Sequence, residues 1–324
     1  MFRFMRLVAT AVATLLFPLT LSAFAADYPT RTVRFIVPFG AGGPADVYAR
    51  VLAQHLSQST GKSFIVEDRP GGGSVIGTDL VAKSRPDGYT LLVMSNTQTT
   101  NETLMAHKPY RLMRDFVPVA SVNSSDLLMV INPKVPAKSV KEFIALAKKE
   151  PGKLNYASSG PGTPYHMAAE LFKAMSGTDI VHIPHRASGE ARNGVMSGEV
   201  QLMFDAITTM APLAKAGRVR ALATTGAGRS RLLPDLPTVS EAGVPGYEAT
   251  IWLGIMAPRG TPKDVVAFLN KNINQVINRP DVKAAWLKQG AVPMVKTPEE
   301  FDAYLRKDIE KWAHVVKISG VKIQ

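Results

Sequence analysis

The chain has 324 residues, and its 38 lysines and arginines against 26 aspartates and glutamates give a formal net charge of +12. It contains no cysteine, which excludes disulfides, thiolate catalysis and cysteine metal sites. The basic residues are scattered, without long basic runs interleaved with aromatic residues, and this favours a small anionic ligand over a nucleic acid. A chain of this length is too long for one ordinary hydrophobic core, so we expect two lobes.

The first 25 residues have the pattern of a secretory signal peptide. Arg3 and Arg6 precede an apolar stretch from Leu7 to Leu21, and Ala23-Phe24-Ala25 fits the A-x-A cleavage rule. The stretch is interrupted by Pro18 and is shorter than the ~20 apolar residues of a membrane-spanning helix. We therefore expect cleavage after Ala25 and a mature protein outside the cytoplasm. Removing two arginines and no acid lowers the net charge from +12 to +10.

The first part of the chain alternates strands and helices. Val33 to Pro38, Phe64 to Glu67 and Tyr89 to Met94 predict strands, whereas Pro44 to Gln58 and Val75 to Arg85 predict helices. This alternation indicates a parallel sheet covered by helices.

A second unit with the same alternation begins near Leu127. Its predicted strands are Leu127 to Ile131, Leu154 to Ala157, Ile180 to Ile183, Val200 to Phe204 and Arg220 to Thr224. Its predicted helices are Ser139 to Lys149, Pro164 to Met175 and a helix that ends at Gly198.

The chain then returns to the first unit. Tyr247 to Ala257 reads as extended, and Thr261 and Thr297 begin helix N-cap signatures. Because no third strand-rich unit follows, we expect the last helices to pack on the first lobe. The predicted fold is α/β, with lobe 1 formed by residues 26–126 and 250–324, lobe 2 by residues 127–249, and a two-segment hinge between them.

Two glycine-rich loops follow strands, and each ends at a proline that starts a helix. The first is Phe39-Gly40-Ala41-Gly42-Gly43-Pro44, and the second is Ser159-Gly160-Pro161-Gly162-Thr163-Pro164. Proline suits the first helical position, and the free N–H groups of that turn, together with the helix dipole, attract a carboxylate or phosphate. The duplication predicts two anion-binding helix ends that face one ligand.

Four side chains near these loops and strand ends are candidates for the site. Asp46 and His166 each lie two residues after the helix-start proline, and a histidine there is expected to be neutral and to bond a ligand or the neighbouring loop. Asp46 fits a ligand role or helix capping equally well. Asp205 follows a strand, as cleft residues and helix caps both do, and Arg186 is a candidate clamp for a carboxylate or an ordinary surface arginine.

Other chemistries have weaker support. Gly40 to Ala45 fits the dinucleotide fingerprint G-x-G-x-x-A, with Glu67 at the distance of a ribose-binding acid, but Pro44 lies where the backbone should approach a pyrophosphate. The nucleophile motif Gly-x-Ser-x-Gly does not occur. His182 and His185 lie on or beside a strand, on opposite faces, and are not expected to bind metal. We therefore expect no cofactor and no metal.

Several motifs resemble, in order and over nearly the whole chain, the Bug-type extracytoplasmic solute receptors of tripartite tricarboxylate transporters. The resemblance rests on Pro38 to Arg50, Asp68 to Gly73 with Gly77, Pro86 to Leu92, Tyr156 to His166 with Glu170-Leu171-Phe172, and Leu236 to Gly243. It implies a type II periplasmic binding protein whose two α/β lobes close on a small carboxylic acid. At His185-Arg186-Ala187 the family more often has tyrosine, a basic residue and glycine. This difference affects the shape of that side of the expected binding site, and therefore the choice of ligand.

The resemblance also implies ligand positions, because family members hold carboxylates with backbone amides and ordered waters from these two loops. By that comparison the ligand contacts fall on Phe39, Gly42, Gly43 and Asp46, and on Ser158, Gly162, Thr163 and His166. Further wall positions are Ser95, Asn96 and Thr97 in the first lobe and Asp205 in the second.

The expected function is capture of a di- or tricarboxylate or an aromatic acid in the periplasm and its delivery to the permease subunits of the transporter, by a monomer. Two alternatives stay open on the sequence. One is an exported enzyme in which Asp46, His166 and Asp205 converge as acid and base groups. The other is a sensor that passes its ligand state to a signalling receptor.

Overall fold

The computed structural model describes residues 28–321. The predicted signal peptide, residues 1–25, and its cleavage site lie outside the described residues. In this described part of the chain, none of the helices has the length and apolarity needed to cross a bilayer.

Residues 28–321 form ten strands and eleven helices. The strands are β1 (Val33–Val37), β2 (Phe64–Asp68), β3 (Thr90–Ser95), β4 (Phe116–Ile131), β5 (Asn155–Ser158), β6 (Val181–Pro184), β7 (Leu202–Ala206), β8 (Arg220–Thr224), β9 (Thr250–Pro258) and β10 (Ala291–Pro293). The helices are α1 (Pro44–Thr60), α2 (Val75–Ala82), α3 (Asn96–Leu104), α4 (Leu112–Asp115), α5 (Val140–Lys149), α6 (Pro164–Ser176), α7 (Ser188–Ser197), α8 (Ile207–Lys215), α9 (Lys263–Asn278), α10 (Pro280–Leu287) and α11 (Pro298–Ser319).

Strand β4 joins two groups of strands into one hydrogen-bonded order, β2-β1-β3-β9-β4-β7-β5-β6, with β8 and β10 also paired to β4. Its first part, Phe116–Asp126, pairs with β9, whereas Leu127–Ile131 pairs with β7 and β8. Strands β1, β2 and β3 are parallel to one another, as are β5, β6 and β7. The result is two α/β lobes, each built around its own parallel strands.

The two chain crossings lie side by side. Asp126 in β4 is paired with Thr250 at the start of β9. Tyr247, Ala249 and Ile251 belong to the core of the second lobe, whereas Leu253 belongs to a core of the first. A hinge at these paired strands needs only a few residues to change conformation. The lobe boundaries predicted from the sequence remain a proposal.

The first lobe has a hydrophobic core on each face of its sheet, so its strands are buried on both sides, as is usual for parallel strands. Phe35 and Val37 of β1 face α1 and α9, whereas Ile36 faces α2 and the first half of α11. The second lobe has one large core around β5, β7 and α6. These layers fix the strand ends at which the glycine-rich loops begin.

Three predicted features need correction. The last helices do not pack on the first lobe alone, because Trp312 and Val315 in α11 belong to the core of the second. Thr261 does not cap α9: its hydroxyl donates to Pro258 O, and the N-cap residue is Pro262. The predicted strand Leu127 to Ile131 is the second part of the 16-residue β4.

Candidate functional site

A cavity of about 540 Å³ lies between the two lobes. Residues of both lobes line it: Pro38, Phe39, Gly40, Gly43, Pro44, Ala45, Pro70, Gly71, Gly72, Gly73, Ser74, Ser95, Ser159, Gly160, Pro161, Thr163, Pro164, Tyr165, His185, Arg186, Ala187, Ser188, Ile251 and Leu253. Its volume is in the range of ordinary small-molecule sites.

The loop before α1 presents its backbone to this cavity. Gly42 has φ +74°, a left-handed conformation that favours glycine, and its N–H donates to Asp46 Oδ2 at 2.8 Å. Pro44 occupies the first turn, and within the described residues no side chain caps the helix. Asp46 is buried behind the loop, where Arg50 Nε lies 2.5 Å from its other oxygen and compensates its charge.

The loop before α6 has the same construction. Gly162 also has φ +74°, and its N–H donates to His166 Nδ1 at 3.0 Å. Pro164 again occupies the first turn, and no described side chain caps this helix. Because Nδ1 accepts a hydrogen bond, it carries no proton, as expected for an imidazole at the positive end of a helix dipole.

Burial keeps this histidine neutral. Burial, followed by the charge of Lys173, lowers the pKa of His166 to about 4. His166 stacks on His182 with ring centroids 4.2 Å apart, and burial followed by the proximity of His166 lowers the pKa of His182 to about 3. His182 Nε2 lies 2.6 Å from Ser158 Oγ at the end of β5. The histidine pair therefore supports the second loop from behind.

Three more helices begin at the cavity: α2 after Gly71 to Ser74, α3 after Ser95, and α7 at Ser188. The Ser95 side chain caps α3, and in the first turn of α2 the amides of Val75 and Ile76 donate to the carbonyl oxygens of the preceding glycines. Helix α7, like α1 and α6, has no side-chain cap within residues 28–321. The uncapped N-termini of α1, α6 and α7, with their positive dipole ends, thus meet at one space, an arrangement that suits an anion.

The lobes are closed on each other. Tyr48 OH and Thr208 Oγ1 form a hydrogen bond of 3.1 Å between them. A Cβ built on Gly40 lies 3.2 Å from Ala187 Cβ, and one built on Gly73 lies 3.3 Å from Pro161 O. The glycines therefore let the loops of opposite lobes approach closely.

The predicted site residues divide into those at the cavity and those behind it. Phe39, Gly43, Ser95, Thr163 and Arg186 line the cavity. Gly42, Asp46, Ser158, Gly162 and His166 are not among the lining residues and hold the loops in place. Asn96 and Thr97 lie in the first turn of α3, where Asn96 Nδ2 donates to Thr250 O and Thr97 N donates to Ser95 Oγ.

Asp205 also lies outside the cavity lining. It is fully buried, accepts from Arg192 Nε at 2.7 Å and from Ala206 N at 2.7 Å, and so ties α7 to β7. Burial raises the pKa of Asp205, although the guanidinium beside it acts in the opposite direction. Asp46, His166 and Asp205 do not converge, since each side chain is engaged with a different partner.

Some lining residues were not predicted as site residues. Gly71 to Ser74 could have been predicted, because they form a glycine-rich segment before a helix, as the two predicted loops do. Ile251 and Leu253 alternate along β9 where the chain crosses between lobes, and His185 and Ser188 flank Arg186. Tyr165 follows the helix-start proline and is almost fully buried.

The fold and the cavity between its lobes define a solute-binding protein. A sequence profile described as "Tripartite tricarboxylate transporter family receptor" matches residues 48–321. The protein BugT of Bordetella pertussis is 38% identical over 299 residues, which cover 92% of each chain. The chain therefore belongs to the receptor family of tripartite tricarboxylate transporters.

Solved structures agree with this assignment. An R. palustris protein with adipate matches with a TM-score of 0.89 and 34% identity, covering 91% of this chain and 99% of that one. MatC from the same species, with bound malate, matches with a TM-score of 0.84 and 30% identity, covering 89% of this chain and 100% of that one. The family consists of receptors, so the enzyme alternative is wrong. Among residues 28–321, no group of three or more potential ligands is arranged to hold a metal ion.

Proposed function

We propose that this protein captures a small carboxylic acid, either a di- or tricarboxylate or an aromatic acid, by closing its two lobes on it. One observation carries the proposal: the N-termini of α1 and α6, from opposite lobes, open into one cavity, and no described side chain caps either helix. An anion that contacts both ends stabilises the closed state more than the open one.

The cavity lining supports an acid with two charged ends. Among the described lining residues, Arg186 is the only lysine, arginine, aspartate or glutamate. Backbone amides can hold one carboxylate and Arg186 a second. Phe39, Ile251 and Leu253 supply an apolar surface between polar groups. The relatives solved with adipate and malate bind acids of this kind.

We further propose the setting in which this capture takes place. The signal peptide is cleaved after Ala25, and the mature protein is a periplasmic monomer with lobe 1 formed by residues 26–126 and 250–324 and lobe 2 by residues 127–249. The closed form delivers the acid to the permease subunits of a tripartite transporter. Family membership supports that partner.

The test is a thermal-shift screen of residues 26–324 against aliphatic and aromatic mono-, di- and tricarboxylates. A ligand that binds only the native state adds about 2.7 kcal/mol at a hundredfold excess over its dissociation constant, which a melting curve detects. We expect dicarboxylates to raise the melting temperature more than monocarboxylates of the same chain length. In Arg186→Gln this difference should shrink, while the monocarboxylate shift should persist.

Nucleotides and divalent metal ions serve as controls in the same screen. A stabilising nucleotide or metal ion combined with no response to any acid would overturn the proposal and support the dinucleotide interpretation of Gly40 to Ala45.

A further inference from the structure

Asn101 in α3 lies at the contact between the two lobes, although it does not line the cavity. Its side chain is fully buried, and its Nδ2 donates to Gly73 O in the α2 loop at 2.9 Å. Because Nδ2 makes this bond, the remaining polar atom of the side chain is Oδ1. Within residues 28–321 this oxygen has no hydrogen-bond donor.

The free oxygen faces the α6 loop of the opposite lobe. A Cβ built on Gly162 would lie 2.7 Å from Asn101 Oδ1 and 3.3 Å from Leu104 Cδ2. The N–H of Gly162 already donates to His166 Nδ1. The glycine therefore faces the side-chain amide of Asn101 with its Cα. A separation of 2.7 Å is shorter than van der Waals contact, so any larger residue at position 162 forces one side to move.

Asn101 is poorly placed to move aside. Gln98 on the same helix donates from Nε2 to Ser74 Oγ and Thr78 Oγ1, and Thr99 Oγ1 donates to Asp308 of α11. The helix is capped at its start by Ser95 and Gln98. Helix α3 is therefore bonded to α2 and α11, and its side chains form a fixed surface.

We propose that Asn101 is a positioning residue for closure: its anchored side chain is the surface of the first lobe on which the Gly162 loop comes to rest. It thereby sets how far the lobes close on a ligand. The inference rests on the proposed function, because closure serves the capture of an acid. It adds a determinant of affinity that does not contact the ligand.

The chain contains its own control for this contact. Gly42 has the same φ of +74° as Gly162, but a Cβ built on Gly42 meets nothing within 4 Å. Alanine at either position carries the same backbone strain. Only alanine at position 162 also meets the other lobe, so the difference between the two variants isolates the contact.

Closure can be measured without a ligand by a disulfide between Gly40→Cys and Ala187→Cys. These positions have a Cβ separation of 3.2 Å in the closed form, close to the ~3.5–4.5 Å of disulfides, and the chain has no other cysteine. With oxidised glutathione as the oxidant, the rate of cross-linking reports how often the lobes close. It is measured on non-reducing gels in the parent and in three further backgrounds: Gly42→Ala, Gly162→Ala, and Gly162→Ala with Asn101→Ala.

We expect Gly162→Ala to slow cross-linking by about tenfold to a hundredfold, the effect of overpacking a close contact. Gly42→Ala, which carries the backbone strain without the contact, should slow cross-linking much less than Gly162→Ala, and Asn101→Ala should restore most of the rate in the Gly162→Ala background. If Gly162→Ala does not fold, Asn101→Gln extends the side chain toward the same glycine and should slow cross-linking alone.

Equal rates in Gly42→Ala and Gly162→Ala, or no recovery with Asn101→Ala, would overturn the inference. In the case where Asn101→Gln replaces Gly162→Ala, an unchanged rate would do the same. Adding adipate or malate to the parent then tests the proposed function separately. Failure of these acids to speed cross-linking would count against that function, while the ligand-free rates would still decide the role of Asn101.

Discussion

The loops before α1 and α6 share a backbone conformation but differ in the chemistry behind it. Each has glycine at φ +74°, proline in the first helical turn, and a side chain that accepts the N–H of the glycine four residues earlier. The acceptor is a carboxylate paired with an arginine in the first loop, and a neutral imidazole stacked on a second histidine in the other.

Both loops thus place an acceptor at the same position, although the two acceptors differ in charge. Asp46 and His166 both reach back from the third helical residue to a glycine amide. The remaining amides of each first turn have no partners within the helix, and both loops line the cavity. Neither side chain needs to touch the ligand in order to matter for binding.

The charge behind each loop still affects the cavity. A carboxylate near a helix N-terminus offsets part of the positive dipole, and here Arg50 compensates that carboxylate only from the partly exposed side. His166 itself is neutral, and the buried carboxylate of Glu170, one turn further along α6, is paired with Lys173. We therefore expect the second loop to attract an anion more strongly than the first.

Removing the acceptor at position 166 should have the largest effect on affinity. In His166→Leu the N–H of Gly162 loses its partner, at a cost of about 1–3 kcal/mol, so we expect the dissociation constant of a dicarboxylate to rise roughly ten- to a hundredfold. His166→Asn places an amide oxygen where Asp46 has a carboxylate oxygen and should recover most of the affinity. Isothermal titration calorimetry at neutral pH measures both variants.

If His166→Asn bound the dicarboxylate as weakly as His166→Leu, the acceptors of the two loops would not be equivalent. The imidazole itself, rather than an acceptor at that position, would then be required.

The second prediction concerns acid. Burial, followed by the proximity of His166, lowers the pKa of His182 to about 3, whereas an unfolded histidine titrates near its ordinary value of 6.5. The unfolded state therefore binds more protons below about pH 6.5, and the stability contributed by the neutral ring is lost as the pH falls toward the folded pKa. For His182 alone this loss is about 2 kcal/mol between about pH 7 and pH 5.

The matched measurement compares wild type with His182→Phe, which keeps an aromatic ring in the stack. Urea denaturation of both at several pH values should show a free energy of unfolding that falls less in the variant on acidification. Asp126 and Asp308 change the stability in the opposite direction, because burial raises the pKa of each to about 6 and their protonation favours the folded state. Both proteins contain these two aspartates, so their effect cancels in the comparison. Identical pH slopes in the two proteins would show that His182 is not buried as a neutral ring.

Much of this site could be predicted because its signals are local. A glycine-rich loop, a proline at a helix start and a side chain two residues later lie within a few positions of one another in both loops. The same locality explains why the predicted strands before those loops end within one residue of β1 and β5. It also explains why the equivalence of Asp46 and His166 was visible from the sequence.

Helix α3 could not be predicted, because what stabilises it is distant in the chain. Residues Asn96 to Asn101 are all polar and show no apolar periodicity, yet all are buried. Their partners are remote: Gln98 bonds Ser74 at a separation of 24 residues, Asn96 bonds Thr250 at 154, and Thr99 bonds Asp308 at 209. Tertiary hydrogen bonds replace the apolar face by which a buried helix is usually recognised.

The smallest expected effect comes from the first loop. Asp46→Asn keeps an oxygen that can accept the N–H of Gly42 but removes the negative charge behind the amides, so the affinity for a dianionic acid should rise, by about two- to fivefold in a partly solvated site. Arg50→Gln is the matched opposite, because it leaves the carboxylate less compensated and should weaken binding. Calorimetric titrations at low and high salt check both, since an electrostatic effect shrinks as the salt concentration rises. Weaker binding in Asp46→Asn would mean that the carboxylate is needed for the geometry of the loop, and that the two acceptors are less interchangeable than their shared backbone implies.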